Sequence, residues 1–356
     1  MFATVLIPTA GGRNALLKYT LNALKAQSCK NFEVLIVSKT KDAEITNITK
    51  GCSEHFDIRI LQSRNGLMEA YSEGIRNACG DVILFLDDDS IPNPDCVEEH
   101  LSTYDRIQVS GISGEVIPSY LTNGVPYAPE GSSEIVNYYS EPKILRIIGN
   151  ILWNRPLEGQ EQFLAYISKA GYSQKNIYIN RQGIANSLLC MATNMSILKS
   201  ALKGLQIPTS FLRRGIAFEQ VIAWQLWKNG HRMVFNPRAK VHHILHGQTM
   251  SRSLDTTTMC KAIIEKELVF YYLLSNEEKL SIKHRIVSLS YNYLVHLKKI
   301  DENWKREMAV VKGMFFGNII GLTWLVSKKV GGGFIPVQHI RLKYDNSAHG
   351  CSENGQ

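Results

Sequence analysis

The chain carries neither of the common phosphate-binding loops. Its one early glycine pair, Gly11-Gly12, lacks the G-x-G-x-x-G spacing of a dinucleotide fold, and no G-x-x-x-x-G-K-[ST] segment occurs. No Cys-x-x-Cys pair and no H-E-x-x-H helix is present, which argues against a structural zinc site. The seven cysteines are scattered, odd in number and placed in apolar runs such as Leu188-Leu189-Cys190, so they read as reduced core residues. A formal charge of +8 comes without a zinc finger, an RNA-recognition signature or a long basic tract, so nucleic acid is not an expected partner. The first strand begins almost at Met1, and no secretory leader is expected.

What is there is an alternation of strands and helices. Ala3-Thr4-Val5-Leu6-Ile7-Pro8-Thr9 reads as a buried strand stopped by proline, and Phe32-Glu33-Val34-Leu35-Ile36-Val37 as a second. Between them Leu16, Leu17, Thr20, Leu21, Leu24 and Lys25 recur at helical spacing. A third strand, Ile58-Arg59-Ile60-Leu61, leads through Arg64-Asn65-Gly66 to a helix ending near Asn77. This interval predicts a mostly parallel sheet with helices on both faces.

The next strand, Asp81-Val82-Ile83-Leu84-Phe85-Leu86, ends in Asp87-Asp88-Asp89. Three adjacent carboxylates repel one another, and a hard divalent cation is their natural counter-ion. The carboxyl end of a buried strand is where open α/β sheets place ligands, so the turn points to a nucleoside diphosphate with its metal. The plain alternative is a solvated strand end capping the following helix.

The chain resembles the family 2 inverting glycosyltransferases of the GT-A fold. The resemblance rests on Val5-Leu6-Ile7-Pro8-Thr9, Phe32 to Val37, Arg64-Asn65-Gly66, Gly74 to Asp81, Leu84 to Asp89 and Ile91-Pro92-Asn93-Pro94-Asp95, in that order. It continues through Gly114 to Pro118, Ala192-Thr193-Asn194-Met195-Ser196, Phe218-Glu219-Gln220, Gly230-His231-Arg232 and Pro237 to His243. The ordered series spans roughly residues 2–247 and is more specific than any one piece. It implies transfer of a sugar from a nucleotide diphosphate donor to an acceptor hydroxyl, with inversion at the anomeric carbon and help from Mg²⁺ or Mn²⁺. Asp87 and Asp89 match the outer carboxylates of the family's D-x-D motif. Asp89 is the first choice for direct coordination, and Asp88 is expected to face the ribose or an outer water. Pro8 and Thr9 match the place where the family cradles the base, Arg64 belongs to a donor-side motif, and His243 matches a histidine that approaches the donor metal. Glu219 is the expected general base.

Two departures stand out. The family's acidic pair is Glu219-Gln220 here, and an amide cannot titrate, which leaves the base to Glu219. After the second strand the chain reads Ser38-Lys39-Thr40-Lys41-Asp42, so Ser38 rather than a carboxylate is the expected donor contact. His242 and His246 are expected to decorate a strand end and a loop, because alternation along a strand sends neighbours to opposite faces. Trp153, Arg155 and Arg181, in a segment rich in proline and aromatics, are expected acceptor contacts. Two rival classes are a sugar-1-phosphate nucleotidyltransferase, which should carry a glycine-rich basic signature after strand one, and a non-catalytic nucleotide-sugar-binding homologue.

The expected organisation is a catalytic domain over residues 1–250, with a donor half to about 118 and an acceptor half beyond it. A helical region follows over 255–330, then a disordered tail over 345–356. Cys260 to Lys299 is helical by pattern. Met308 to Ser327 approaches the ~20 apolar residues of a membrane span, flanked by Lys305-Arg306 and Lys328-Lys329. Lys312 and Asn318 within it favour an interfacial or core-packed helix. The expected setting is the cytoplasm, where nucleotide sugars are made, peripheral to the membrane face. Expected partners are a nucleotide-sugar donor, a glycan or lipid-linked acceptor of the cell envelope, and an anionic membrane surface.

Overall fold

A computed structural model describes residues 1–40, 43–63, 66–128, 154–176, 179–189, 191–246, 255–300, 303–329 and 339–341. Its centre is a sheet in which β1 (Ala3–Thr9) pairs in parallel with β2 (Phe32–Ser38) and β4 (Val82–Phe85), and β2 with β3 (Ile58–Gln62). Side chains alternate strictly. Ala3, Val5, Ile7, Val34, Ile36, Val82 and Leu84 enter one apolar cluster, while Leu6, Leu35, Val37, Ile83 and Phe85 enter another. Both faces are therefore covered, which is why these strands read as near-continuous apolar runs.

The helices divide accordingly. α1 (Asn14–Lys25), α2 (Ala43–Lys50) and α4 (Cys96–Arg106) pack on the first face through Leu17, Leu21, Ile45 and Leu101. α3 (Leu67–Asn77) and α5 (Phe218–Lys228) pack on the second through Met68, Tyr71, Ile75, Phe218 and Ile222.

Beyond β4 the sheet becomes mixed. β11 (Met195–Leu198) runs antiparallel between β4 and β6 (Gly111–Thr122), and β13 (Met233–Ile244) runs parallel to β6. The short strands β7 (Val125–Tyr127) and β10 (Ala185–Asn186) pair with β6 and β13, and β8 (Ala165–Ile167) and β9 (Ser173–Lys175) form a separate two-stranded antiparallel sheet. β13 also pairs antiparallel with β5 (Ser90–Pro92), with His243 opposite Ser90. That register lays the end of β13 across the aspartate turn. Asn194 fixes the crossing: its amide donates to the Glu115 and Ala239 carbonyls, and a side chain at Gly114 would collide with it.

The segment from Cys260 to Lys299, helical by pattern, holds two helices. α6 (Thr256–Leu274) is capped by Asp255, which accepts from the Thr257 and Thr258 amides, and Ser281 caps a fresh start at α7 (Ile282–Lys298). α8 (Trp304–Lys329) follows, and β14 (His339–Arg341) then pairs with β12 (Gln206–Pro208), returning the chain to the part before α6. Val269, Phe270 and Leu273 of α6 share one core cluster with Phe85 and Phe218. The expected tail over 345–356 lies outside the described residues. The reading of all cysteines as reduced is corrected at Cys79, which is disulfide-bonded, while Cys29, Cys52, Cys96 and Cys260 are free.

Candidate active site

β4 delivers Asp87-Asp88-Asp89 at the end where β1 and β2 also stop, and Leu86 is still held to the Leu6 carbonyl. The ligand atoms of Asp87, Asp89 and His243 all lie within 4.8 Å of one another. Asp89 is buried, and its Oδ1 lies 3.3 Å from His243 Nε2 without an aligned hydrogen bond. Two carboxylates and one imidazole, with a buried carboxylate oxygen lacking a hydrogen bond, fit a divalent cation such as Mg²⁺ or Mn²⁺.

The other Asp89 oxygen is engaged. Its Oδ2 lies 2.7 Å from His246 Nε2 and 2.9 Å from Arg13 Nη1. Burial pushes the Asp89 carboxyl up, but His243, His246 and Arg13 outweigh it and hold it down at about 2. Asp88 turns inward, taking a hydrogen bond of 2.6 Å from Thr9 Oγ1 and an ion pair of 2.6 Å with Arg13. Burial still dominates there and pushes Asp88 up to about 6. Burial and the neighbouring Asp89 raise Asp87 as well, against His243, Thr193 and Arg13.

Glu219 lies in the first turn of α5, behind Ala217 in the left-handed region at φ 63°. It is only partly exposed, and burial followed by the charge of Asp87 pushes its carboxyl up to about 7. Lys266 on α6 opposes that rise, so the helical region reaches the edge of the site. Gln220 points the other way and donates to the Gly171 carbonyl at 2.6 Å, a task no carboxylate performs. Tyr71 stacks on Phe218 at 4.7 Å and feels the charges of both Asp87 and Glu219. Its buried hydroxyl has no hydrogen-bond partner among the described residues.

The structure thus brings together Thr9, Asp87, Asp88, Asp89, His243 and Glu219. Pro8 is buried in β1 beside them. Ser38 closes a local turn instead, donating to the Thr40 carbonyl at 2.7 Å. The expectation that Asp88 faces the ribose is corrected: its oxygens are taken by Thr9 and Arg13. His242 donates to or accepts from Ser119 on the face away from the aspartates, as alternation requires. His246 is not a loop decoration but an Asp89 partner. Arg181 is not brought to the site: it lies over the Phe235 ring, which pairs with Ser113 while His243 pairs with Pro118, five positions along β6 and roughly 17 Å at strand rise. Arg64 and Trp153 lie outside the described residues.

Sequence reasoning missed Arg13, Thr193 and Tyr71. Arg13 had a signal, since it follows a glycine loop at the carboxyl end of β1. Thr193 sat inside a recognised motif, whereas Tyr71 is indistinguishable from core at its helical spacing.

The sheet order, the acidic turn after β4 and the crossing of β13 over it define a GT-A glycosyltransferase fold. A family model described as "Glycosyl transferase family 2" matches residues 4–185, just over half of the chain, and the chain belongs to that family. It is 32% identical over 99 residues to an uncharacterized glycosyltransferase of Rickettsia felis, covering 28% of this chain and 16% of that protein. It is 27% identical over 149 residues to the amylovoran biosynthesis glycosyltransferase AmsB of Erwinia amylovora, covering 38% of this chain and 49% of the relative. The chain thus spans less than half the length of these curated relatives. Among solved structures, GalNAc-T7 with UDP, GalNAc and Mn²⁺ superposes with a TM-score of 0.52 at 13% identity, over 80% of this chain and 52% of that one.

Proposed function

We propose that this chain is a metal-dependent, inverting glycosyltransferase of the hexosyl type. It moves a sugar from a nucleotide diphosphate donor to a hydroxyl of a glycan or lipid-linked acceptor in cell-envelope assembly. The observation that carries the reading is the pairing of a cation-type cluster, Asp87, Asp89 and His243, with a neighbouring carboxyl tuned to about 7.

Asp87, Asp89 and His243 would hold Mg²⁺ or Mn²⁺, which when bound neutralises charge on the departing diphosphate. Arg13 and His246 fix the Asp89 carboxylate through Oδ2, so Oδ1, beside His243, keeps one direction. Ionised Glu219 takes the proton from the acceptor hydroxyl as that oxygen attacks the anomeric carbon and the bond from carbon to phosphate oxygen breaks. A carboxyl near 7 is a stronger base than an ordinary glutamate. Gln220, bonded to Gly171, holds the first turn of α5 that aims Glu219.

The donor half to about residue 118 and the acceptor half beyond it meet at this site, with residues 255–330 as an added helical region. The enzyme works in the cytoplasm, peripheral to a membrane face. Incubation with a panel of nucleotide sugars and Mn²⁺ tests the reaction class. Release of nucleoside diphosphate and a product inverted at the anomeric carbon are expected. Pyrophosphate chemistry would assign a nucleotidyltransferase, and no turnover would leave a binding protein.

A further inference from the structure

α8 is long and apolar enough to cross a membrane over Trp304–Ser327, yet it is built as a helix with two different faces. Gly313, Gly317 and Gly321 form one stripe, where added side chains would run into Ile263, Glu267 and Tyr271 of α6. Asn318 lies beside that stripe, donating to Glu267 at 2.8 Å and accepting from the Tyr271 hydroxyl at 3.0 Å. Glu267 is in turn paired with Arg285 of α7, both buried. Leaving α6 to span a bilayer would strip this packing, carry the Asn318 amide into hydrocarbon and take from Glu267 one of its hydrogen bonds.

The opposite face is uncovered among the described residues. Phe315, Phe316, Ile319, Leu322 and Val326 fall within about a third of the helix circumference at 100° per residue, each 47% to 53% exposed. α7, packed beside α8, exposes a second apolar row through Ile286, Leu294 and Leu297.

Charge selects what covers these rows. α7 contains no acidic residue, and Lys283, Lys298, Lys305, Arg306 and Lys312 are exposed on the two helices. The single acid of α8, Glu307, is buried against His296 and Arg306. A second copy of the chain would bring the same positive charge against itself. An anionic lipid surface complements both the charge and the apolar rows.

We propose that α7 and α8 lie flat on an anionic bilayer surface, with the phenylalanine row of α8 inserted among the lipids and α8 parallel to the membrane plane. This deepens the peripheral attachment in the proposed function. It is read without donor or acceptor, so its failure leaves the transfer reading untouched.

The test is co-sedimentation of the full chain with phosphatidylcholine vesicles, with and without phosphatidylglycerol. Binding is expected only to the anionic vesicles at low salt, with release by high salt or alkaline carbonate. The triple variant Phe315→Ser, Phe316→Ser, Ile319→Ser and the double variant Lys305→Glu, Lys312→Glu should each bind about tenfold or more weaker, with unchanged circular dichroism. The double variant changes only exposed charge, so a folding defect in the triple one would not rescue the idea. No binding to anionic vesicles, equal binding to neutral ones, unaltered binding by the double variant, or binding that resists carbonate would overturn it. So would a dimer in solution that the triple variant abolishes without any vesicle binding.

Discussion

At Glu219 burial of one carboxyl sets stability against the chemistry proposed for it. Its folded value of about 7 lies above the 4.5 of an ordinary glutamate. Between those values the folded chain binds more protons than the unfolded one. Stability from this group is therefore present below pH 4.5 and is lost as pH rises through 7. Glu219→Gln, which stays neutral, should melt higher than wild type at pH 8 and no higher at pH 4; a lower melting point at pH 8 would contradict the burial argument. The same variant should transfer sugar about 10² to 10⁴ times more slowly with donor affinity kept, and a normal rate would place the base elsewhere. In wild type the rate should rise with pH as Glu219 ionises. At saturating Mn²⁺ its midpoint should fall below 7, because the cation removes the Asp87 charge that helps raise it. Gln220→Glu should lower activity and stability together at pH 8, since a carboxylate would face the Gly171 carbonyl that the amide now binds; unchanged melting and rate would sink that assignment. The donor-side aspartates were legible as a triplet, but their burial was not. Asp88 and Asp89 are 1% and 2% exposed because Thr9, Arg13 and His246 come to them from 76 to 157 positions away, which no local pattern encodes.

Among the elements, β1, β2, β3 and β4 stand where the apolar runs put them, and α3 ends at Asn77 as its pattern requires. Strands buried on both faces carry their signature in local composition, so they are readable one at a time. β10, β12 and β14 are two or three residues long and owe their existence to a partner strand, so they were not. Apolar spacing resumes on both sides of the break between α6 and α7, and Ser281 as a cap is the local signal that places it. These helices join the catalytic core through a buried pin. Arg285 lies between the Tyr172 and Phe270 rings, 4.3 Å from each centroid, pairs with Glu267 and donates to the Ala170 carbonyl, next to the Gly171 that Gln220 holds. Arg285→Met should cost about 3–5 kcal/mol, because it strands a buried carboxylate. Adding Glu267→Gln should recover much of that loss in denaturant melts. No recovery in the double variant, or no loss from the single one, would contradict a buried ion pair as the pin.

Across the whole molecule, the carboxyl ends of the central strands β1 and β4 gather the acidic cluster, while α6 brings Lys266 toward Glu219 and α7 and α8 carry an apolar, basic surface on the outside. The charge of +8 agrees with either of the two partners proposed above, a diphosphate ligand and an anionic surface. Family membership and fold rest on the ordered motifs, but the donor nucleotide has no code in the sequence, because Ser38 stands where a carboxylate would have marked it and its hydroxyl is spent on Thr40. The most direct measurement is calorimetric titration of nucleoside diphosphates into wild type, Asp87→Asn and Asp89→Asn, each with and without Mn²⁺. Asparagine keeps the shape of these sites, so the readout is ligand binding rather than folding. Wild type should bind one of the diphosphates strongly only when Mn²⁺ is present, and both variants should lose that dependence. Equal binding by wild type with and without the cation, or undiminished Mn²⁺-dependent binding by both variants, would contradict a cation site at Asp87, Asp89 and His243.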